Sequence, residues 1–244
     1  MDLLLQWEGR RKCTKTELLS FTGKLSVICK VVKPGRIFLR RLYDLTKNIK
    51  AGHHHIYLNE QSRGDIRWWI DFLPSWSCSS IIPDSYIILN SDLKLFTDAS
   101  KQGFGGVYGH RWIQGRWPLD MTALKGAAID IDYLELFAIY AACVTWGHLW
   151  EGKRIVICTD NKPITELWQA GTSKSKPIMS LIRLTFLTAA NHQFSLSLKF
   201  IPGATNTAAD LISRFQVDKF KVMVPEADPH PTPLPTQVSQ LMSQ

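Results

Sequence analysis

Apolar positions change their spacing about one third of the way along the chain. Leu18, Leu19, Phe21, Leu25 and Ile28 recur at the interval of one helix face. Thr14, with Glu17 three residues later, forms a capping-box start for that helix. Pro34-Gly35 breaks it, and Ile37, Phe38, Leu42 and Leu45 mark a second helix. Residues 59–73 predict a third, rich in Trp and ending at Pro74, with His53-His54-His55 in the loop before it. Three successive side chains do not converge on one face, so the triplet reads as a solvated loop rather than a metal site. Residues 1–85 are therefore expected to form a small all-helical region.

From about residue 86 the pattern becomes that of strands. Tyr86–Leu89 and Leu93–Thr97 are apolar runs parted by Asn90-Ser91-Asp92. The glycine-rich GFGGVYG (103–109) leads into RWIQGRWP (111–118), where Gln114-Gly115 has the look of a hairpin turn. Next come a long helix at about 132–150, a strand at 154–159, a helix from Lys162 and another at 177–191. A strand at 194–201 and a short helix from 207 follow. Consecutive strands followed by alternating helix and strand predict an α/β domain over 86–216, a mixed five-stranded sheet flanked by helices. Beyond it, 217–244 with PEADPHPTPLP (225–235) reads as a disordered Pro-rich linker.

The chemistry lies in the acids. LKLFTDAS (93–100) and RIVICTDN (154–161) are β-rich runs that both end in Thr-Asp. Between them Glu135 is the single carboxylate of the apolar stretch 133–150, and Asp210 follows in IPGATNTAADLISR. An unpaired buried carboxylate costs several kcal/mol or titrates away. Asp98, Glu135, Asp160 and Asp210 are thus candidates for a shared cation site, because ligands collect beyond the carboxyl ends of strands in open α/β sheets. The residues also allow plainer roles. An aspartate at a strand end starts a turn, and Asp132/Glu135 and Thr207/Asp210 both have capping-box spacing.

Charge adds a partner class. The chain carries a formal +8, unevenly: residues 1–85 hold 14 Lys/Arg against 8 Asp/Glu, and the rest hold 15 against 13. A basic first third suits either a nucleic-acid grip or a solvated basic surface. Arg10, Arg11, Lys12, Arg40 and Arg41 are the candidate phosphate contacts. Trp68-Trp69 could stack on bases, although an amphipathic helix that buries at least one of them in the core is the commoner arrangement. Five widely spaced cysteines without a CxxC exclude a disulfide framework or a zinc site of that type. No apolar stretch approaches the ~20 residues of a membrane span, so the expected setting is cytoplasmic or nuclear.

The order FTDAS, Glu in an apolar helix, CTDN, then IPG…N…AD with a terminal SR resembles the ribonuclease H domain of retroelement reverse transcriptases over roughly 93–215. LLLQWEGRRKCTKTELLSFTGKLS, VVKPGRIFLRRLYDL and DIRWWIDFLPSW are similar to the thumb/connection region of DIRS/Ngaro-type retrotransposon polyproteins. The resemblance implies a ribonuclease H-like fold and hydrolysis of the RNA strand of RNA–DNA hybrids by two Mg²⁺ ions, with Mn²⁺ as a substitute. Asp98 would bridge the ions, Asp210 would help hold the one that activates water, and Glu135 and Asp160 would hold the other. Ser100, Asn161 and Asn206 would contact the hybrid. No x-Asp-Asp palm motif occurs, so the polymerase palm and the tyrosine recombinase of such polyproteins are implied as partners in a parent chain. Phe200 stands where related elements often carry His, and FIPGATNTAAD is too short for the histidine loop of cellular enzymes. A catalytically weak hybrid-binding remnant is the alternative function.

Overall fold

The structure, a computed structural model, describes residues 2–30, 32, 35–75, 95–118, 130–171 and 173–243. The strand expected at Tyr86–Leu89, the Pro34 break and Cys78 lie outside the described residues. The chain divides into two compact units, Met1–Ile82 and Pro83–Gln244.

The first unit contains α1 (Asp2–Leu5), β1 (Lys12–Thr14), α2 (Lys15–Ile28), α3 (Gly35–Asp44), β2 (His55–Tyr57) and α4 (Glu60–Ser75). Thr14 and Glu17 cap α2 reciprocally, each side chain bonded to the other's backbone. Leu18, Phe21, Leu25, Leu42, Ile66 and Trp69 are the fully buried centre of the unit. Both members of the tryptophan pair belong to this core. Trp69 is fully buried, and Trp68 lies stacked between Phe38 and Phe72, with ring centroids 3.9 and 4.7 Å away.

The unit is not all-helical. β1 and β2 pair antiparallel, Lys12 opposite Tyr57, Cys13 opposite Ile56 and Thr14 opposite His55. Cys13 and Ile56 turn inward, so only one residue per strand reports the period of two, and hydrophobic patterning cannot reveal so short a ribbon. His55 accordingly belongs to a strand rather than a loop. Pro74 also sits inside α4 instead of ending it.

The second unit contains β3 (Leu95–Ala99), β4 (Gly103–Tyr108), β5 (Arg111–Arg116), α5 (Ile131–Trp146), β6 (Arg154–Thr159) and α6 (Lys162–Ala170). It continues with α7 (Lys176–Asn191), β7 (Ser195–Phe200), α8 (Thr207–Ser213), α9 (Val217–Met223) and α10 (Thr236–Met242). The sheet runs β5-β4-β3-β6-β7. Its first three strands are antiparallel, and β6 pairs parallel with both β3 and β7. The hairpin turn falls at Gly109-His110, where Gly109 takes φ 63°, and not at Gln114-Gly115. Gly115 instead lies within β5 opposite Phe104, whose ring occupies the space a Cβ would need.

α5 is apolar on every side because it packs on β3 and β4 and also against α7. The ring of Phe104 meets Phe137 of α5, while a Cβ at neighbouring Gly105 would meet Ile212 of α8 at 2.7 Å. Successive strand residues face opposite ways, so α5 and α8 cover opposite faces of the sheet.

The tail is a second correction. Residues 217–244 were expected as a disordered linker, yet Phe220 of α9 is fully buried with Val107, Trp112 and Ile212. The extended segment follows the β5 edge. Asp228 N–H donates to His110 O at 2.8 Å, Thr232 N–H donates to Trp112 O at 2.7 Å, and Trp112 Nε1–H donates to Asp228 O at 2.8 Å. Val238 of α10 is fully buried as well, and α10 packs on α5. Proline-rich composition removes backbone donors, but an exposed strand edge and two apolar anchors suffice to hold the segment.

Candidate metal centre

Three elements converge at one end of the sheet. Asp98 lies in the last turn-ward part of β3, and Asp160 directly follows the parallel neighbour β6, so the two aspartates leave adjacent strands on the same side. Glu135 is the fifth residue of α5. The N-cap of that helix is Asp130, which accepts from Asp132 N–H, so Glu135 is not a capping acid. Asp98, Glu135 and Asp160 bring carboxylate oxygens within 4.8 Å of one another.

The surroundings of the three acids differ. Glu135, 5% exposed, is pushed up to about 9 by burial and then by the charges of Asp98 and Asp160. The Ala99 N–H and the Thr159 hydroxyl, 3.5 Å from Oε2, oppose this. Asp98, 4% exposed, is raised to about 6 by burial. Ser213 opposes that rise by donating Oγ–H to Oδ2 at 2.5 Å, and the charges of Asp160 and Asp210 reinforce it. Burial and the neighbouring carboxylates thus both disfavour ionisation of Glu135 and Asp98.

Asp210 stands apart from the three. It lies in α8, too far along to cap that helix at Asn206, and its Oδ1 accepts from Arg214 Nε–H at 2.7 Å. That bond holds the Arg214 guanidinium above its ordinary pKa. Asp210 is nonetheless near enough for its charge to bear on Asp98.

Two glycines explain how α8 and its loop reach the site. Gly105 sits opposite Asp98 across the β3–β4 pair, and a Cβ there would lie 2.7 Å from Ile212 and 2.9 Å from Ala209 O. The missing side chain lets α8 rest directly on the sheet, which carries Ser213 to Asp98. Gly203, in the IPG turn, would set a Cβ 2.9 Å from Asp160 Oδ2. From the same loop the buried Asn206 donates Nδ2–H to Thr97 O at 3.0 Å and to Asp160 Oδ1 at 3.4 Å, tying the ends of β3 and β6 together.

The polar residues proposed for hybrid contact are engaged inside the fold. Ser100 is buried and donates Oγ–H to Ser213 O at 2.8 Å. Asn161 caps α6 by accepting from Ile164 N–H and donates Nδ2–H to Asp132 Oδ1 at 2.8 Å. Asn206 is 1% exposed. All three position the site's backbone; Ser100 and Asn206 offer little surface to a ligand, while Asn161 is half-buried. Ser213 is the residue that sequence reasoning missed, and its place three residues after Asp210 is the signal that could have found it. A helix that presents one acid to the site brings the residue at i+3 to the same face.

Among the basic candidates, Arg41 donates to Gln61 O at 2.6 Å and lies 3.3 Å from the buried Asp65. Arg40 pairs with Asp44 and Arg10 with Glu17. Arg11 and Lys12 are exposed.

The donor set fits a hard divalent cation. Three carboxylates supply oxygen ligands and no imidazole or thiolate, the chemistry such ions prefer. Among the described residues no helix is long and apolar enough to cross a membrane.

Residues 89–187 match the family model of the RNase H-like domain found in reverse transcriptase. That interval includes Asp98, Glu135 and Asp160 but ends before Asp210. RNase H1 from the halophilic archaeon Halobacterium salinarum NRC-1 is 14% identical, with a TM-score of 0.37 over 51% of this chain and 96% of that one. The N-terminal RNase H domain of a Mycobacterium tuberculosis protein, solved as a maltose-binding-protein fusion, is 16% identical, with a TM-score of 0.34 over 53% of this chain and 94% of that one. No curated protein sequence matches the chain. The mixed five-stranded sheet with its flanking helices is ribonuclease H-like.

Proposed function

We propose that the second unit hydrolyses the RNA strand of RNA–DNA hybrids, and that the chain derives from a retrotransposon reverse transcriptase of DIRS/Ngaro type. The observation that carries this reading is the convergence of Asp98, Glu135 and Asp160 within 4.8 Å at the end of the parallel strand pair, inside the interval that matches the RNase H-like domain found in reverse transcriptase. These three residues would hold divalent metal, with Asp98 and Asp210 facing a second ion; Mg²⁺ is the natural occupant and Mn²⁺ a substitute. Bound there, the ions would activate water and stabilise the departing oxygen of an in-line phosphoryl displacement.

The protein's own part is to hold the acids. Ser213 fixes one oxygen of Asp98, Thr159 and the Ala99 N–H orient Glu135, and Asn206 clamps Asp160 against β3. Arg214 holds Asp210 aside, and releasing that bond would free the fourth carboxylate. Exposed Arg11 and Lys12 of the first unit would add salt-dependent contacts to phosphates. The parent polyprotein would supply the palm and recombinase regions, and the setting would be cytoplasmic or nuclear.

Phe200, which stands where related elements often carry His and is 45% exposed, favours one alternative, a hybrid-binding module without useful turnover. Cleavage of an end-labelled RNA–DNA hybrid with Mg²⁺ separates the two readings. Wild type is expected to cut the RNA strand, and Asp98→Asn to bind the hybrid without cutting. Well-folded wild type that binds but never cuts would overturn the enzymatic reading. Equal cutting by Asp98→Asn would move the active site elsewhere.

A further inference from the structure

We propose that the outward face of the β1–β2 ribbon binds single-stranded nucleic acid, with Tyr57 as the platform on which an unpaired base stacks. The register places Lys12 directly opposite Tyr57 and Thr14 opposite His55, all on the face turned away from Cys13 and Ile56. Tyr57 is 73% exposed, the most exposed large hydrophobic side chain of the first unit among the described residues. A packed unit gains nothing from leaving an aromatic ring in water, and β-pairing alone needs no aromatic residue there.

The ring's neighbours decide what it fits. Lys12 Nζ lies 5.9 Å from the ring centroid. The two segments that build the ribbon, 9–16 and 48–59, carry Arg10, Arg11, Lys12, Lys15 and Lys50 and not one Asp or Glu. Arg10 is taken up by Glu17, and Lys15 by the Ile49 carbonyl. Arg11, Lys12 and Lys50 remain exposed, as do His53, His54 and His55. An aromatic face within a field of cations matches a polyanion that presents flat apolar faces. Single-stranded nucleic acid has that chemistry, since its bases are free to stack while its phosphates meet the lysines and arginines. A duplex hides its base faces, and an acidic peptide offers none.

The proposal shares only its class of partner with the hydrolytic reading and does not depend on turnover. It is tested with the full chain and the divalent metal chelated, so failure of cleavage leaves it untouched. Fluorescence anisotropy would follow binding of a labelled short oligothymidine and of a blunt DNA duplex to wild type, Tyr57→Ala, Tyr57→Phe and Lys12→Ala. Tyr57→Ala should weaken oligothymidine binding about tenfold, and Tyr57→Phe should bind as wild type does. The slope of log affinity against log salt should hold in Tyr57→Ala and become shallower by about 0.7 in Lys12→Ala. Duplex binding should be indifferent to Tyr57. Oligothymidine binding by a folded Tyr57→Ala at the wild-type level would overturn the proposal, as would an equal loss on the blunt duplex or a loss in Tyr57→Phe matching that in Tyr57→Ala.

Discussion

Replacing Glu135 with Gln should stabilise the metal-free protein at neutral pH, although Glu135 is a candidate metal ligand. Its carboxyl is raised to about 9, first by burial and then by Asp98 and Asp160. A raised carboxyl pKa means that the folded state prefers the protonated form. The associated stability is complete below the unfolded value, near 4.5, and is lost as pH climbs toward 9. At about pH 7.5 the chain is some three pH units into that window, which at ~1.36 kcal/mol each bounds the loss at about 4 kcal/mol. Gln keeps the shape and the acceptor oxygen and carries no charge. Metal-free Glu135→Gln should therefore gain about 2–4 kcal/mol at pH ~7.5, roughly 5–10 °C in melting temperature, and nothing at about pH 4.5. Added Mg²⁺ should reverse the order, because binding to the folded state stabilises wild type and less so the variant. Thermal melts followed by circular dichroism across pH, with EDTA and then with Mg²⁺, make the measurement. A variant no more stable than wild type at neutral pH without metal would refute the reasoning, since Glu135 would then be ionised at no cost.

Two further perturbations test how the site is held. Ser213→Ala removes the donor that opposes the rise of Asp98 above its usual range; the Asp98 carboxyl should titrate higher still by carbon NMR in the metal-free protein, at a stability cost of about 1–2 kcal/mol, and an unmoved titration would dismiss Ser213 as a positioning residue. Phe220→Ala empties the cluster formed with Val107, Trp112 and Ile212 and should cost about 3–5 kcal/mol by denaturant unfolding; a cost below about 1 kcal/mol would show the tail to be loosely attached.

The parts of this protein that could be read from its sequence are those where one physical signal spans many residues. α5 announces itself through a long apolar stretch, β3 through a short apolar run and β6 through a β-branched one, both runs leading into Thr-Asp. The two aspartates leave adjacent parallel strands, an arrangement that periodicity alone left conditional. Features that depend on a single contact stayed hidden. The β1–β2 ribbon has three residues per strand, too few to display a period. The turn at Gly109-His110 lost to Gln114-Gly115 because Gly115 serves a close approach by Phe104 instead of a bend. Disorder was the natural reading of the Pro-rich tail, since composition does not encode the β5 edge that receives it.

The same distinction orders the four acids. Glu135 stood out because it is the lone charge in an apolar helix, and its burial bears directly on its chemistry. Asp210 was legible by motif, but motif carries no information about Arg214 one turn later, whose guanidinium holds the carboxylate at 2.7 Å. An exposed i,i+4 pair of this kind contributes only about 0.3–0.5 kcal/mol, far less than a divalent ion gains from a carboxylate ligand. The ion pair is therefore no barrier to recruiting Asp210. A divalent ion held by the other three acids would be the stronger cation for Asp210, which the fold already sets close enough for its charge to act on Asp98.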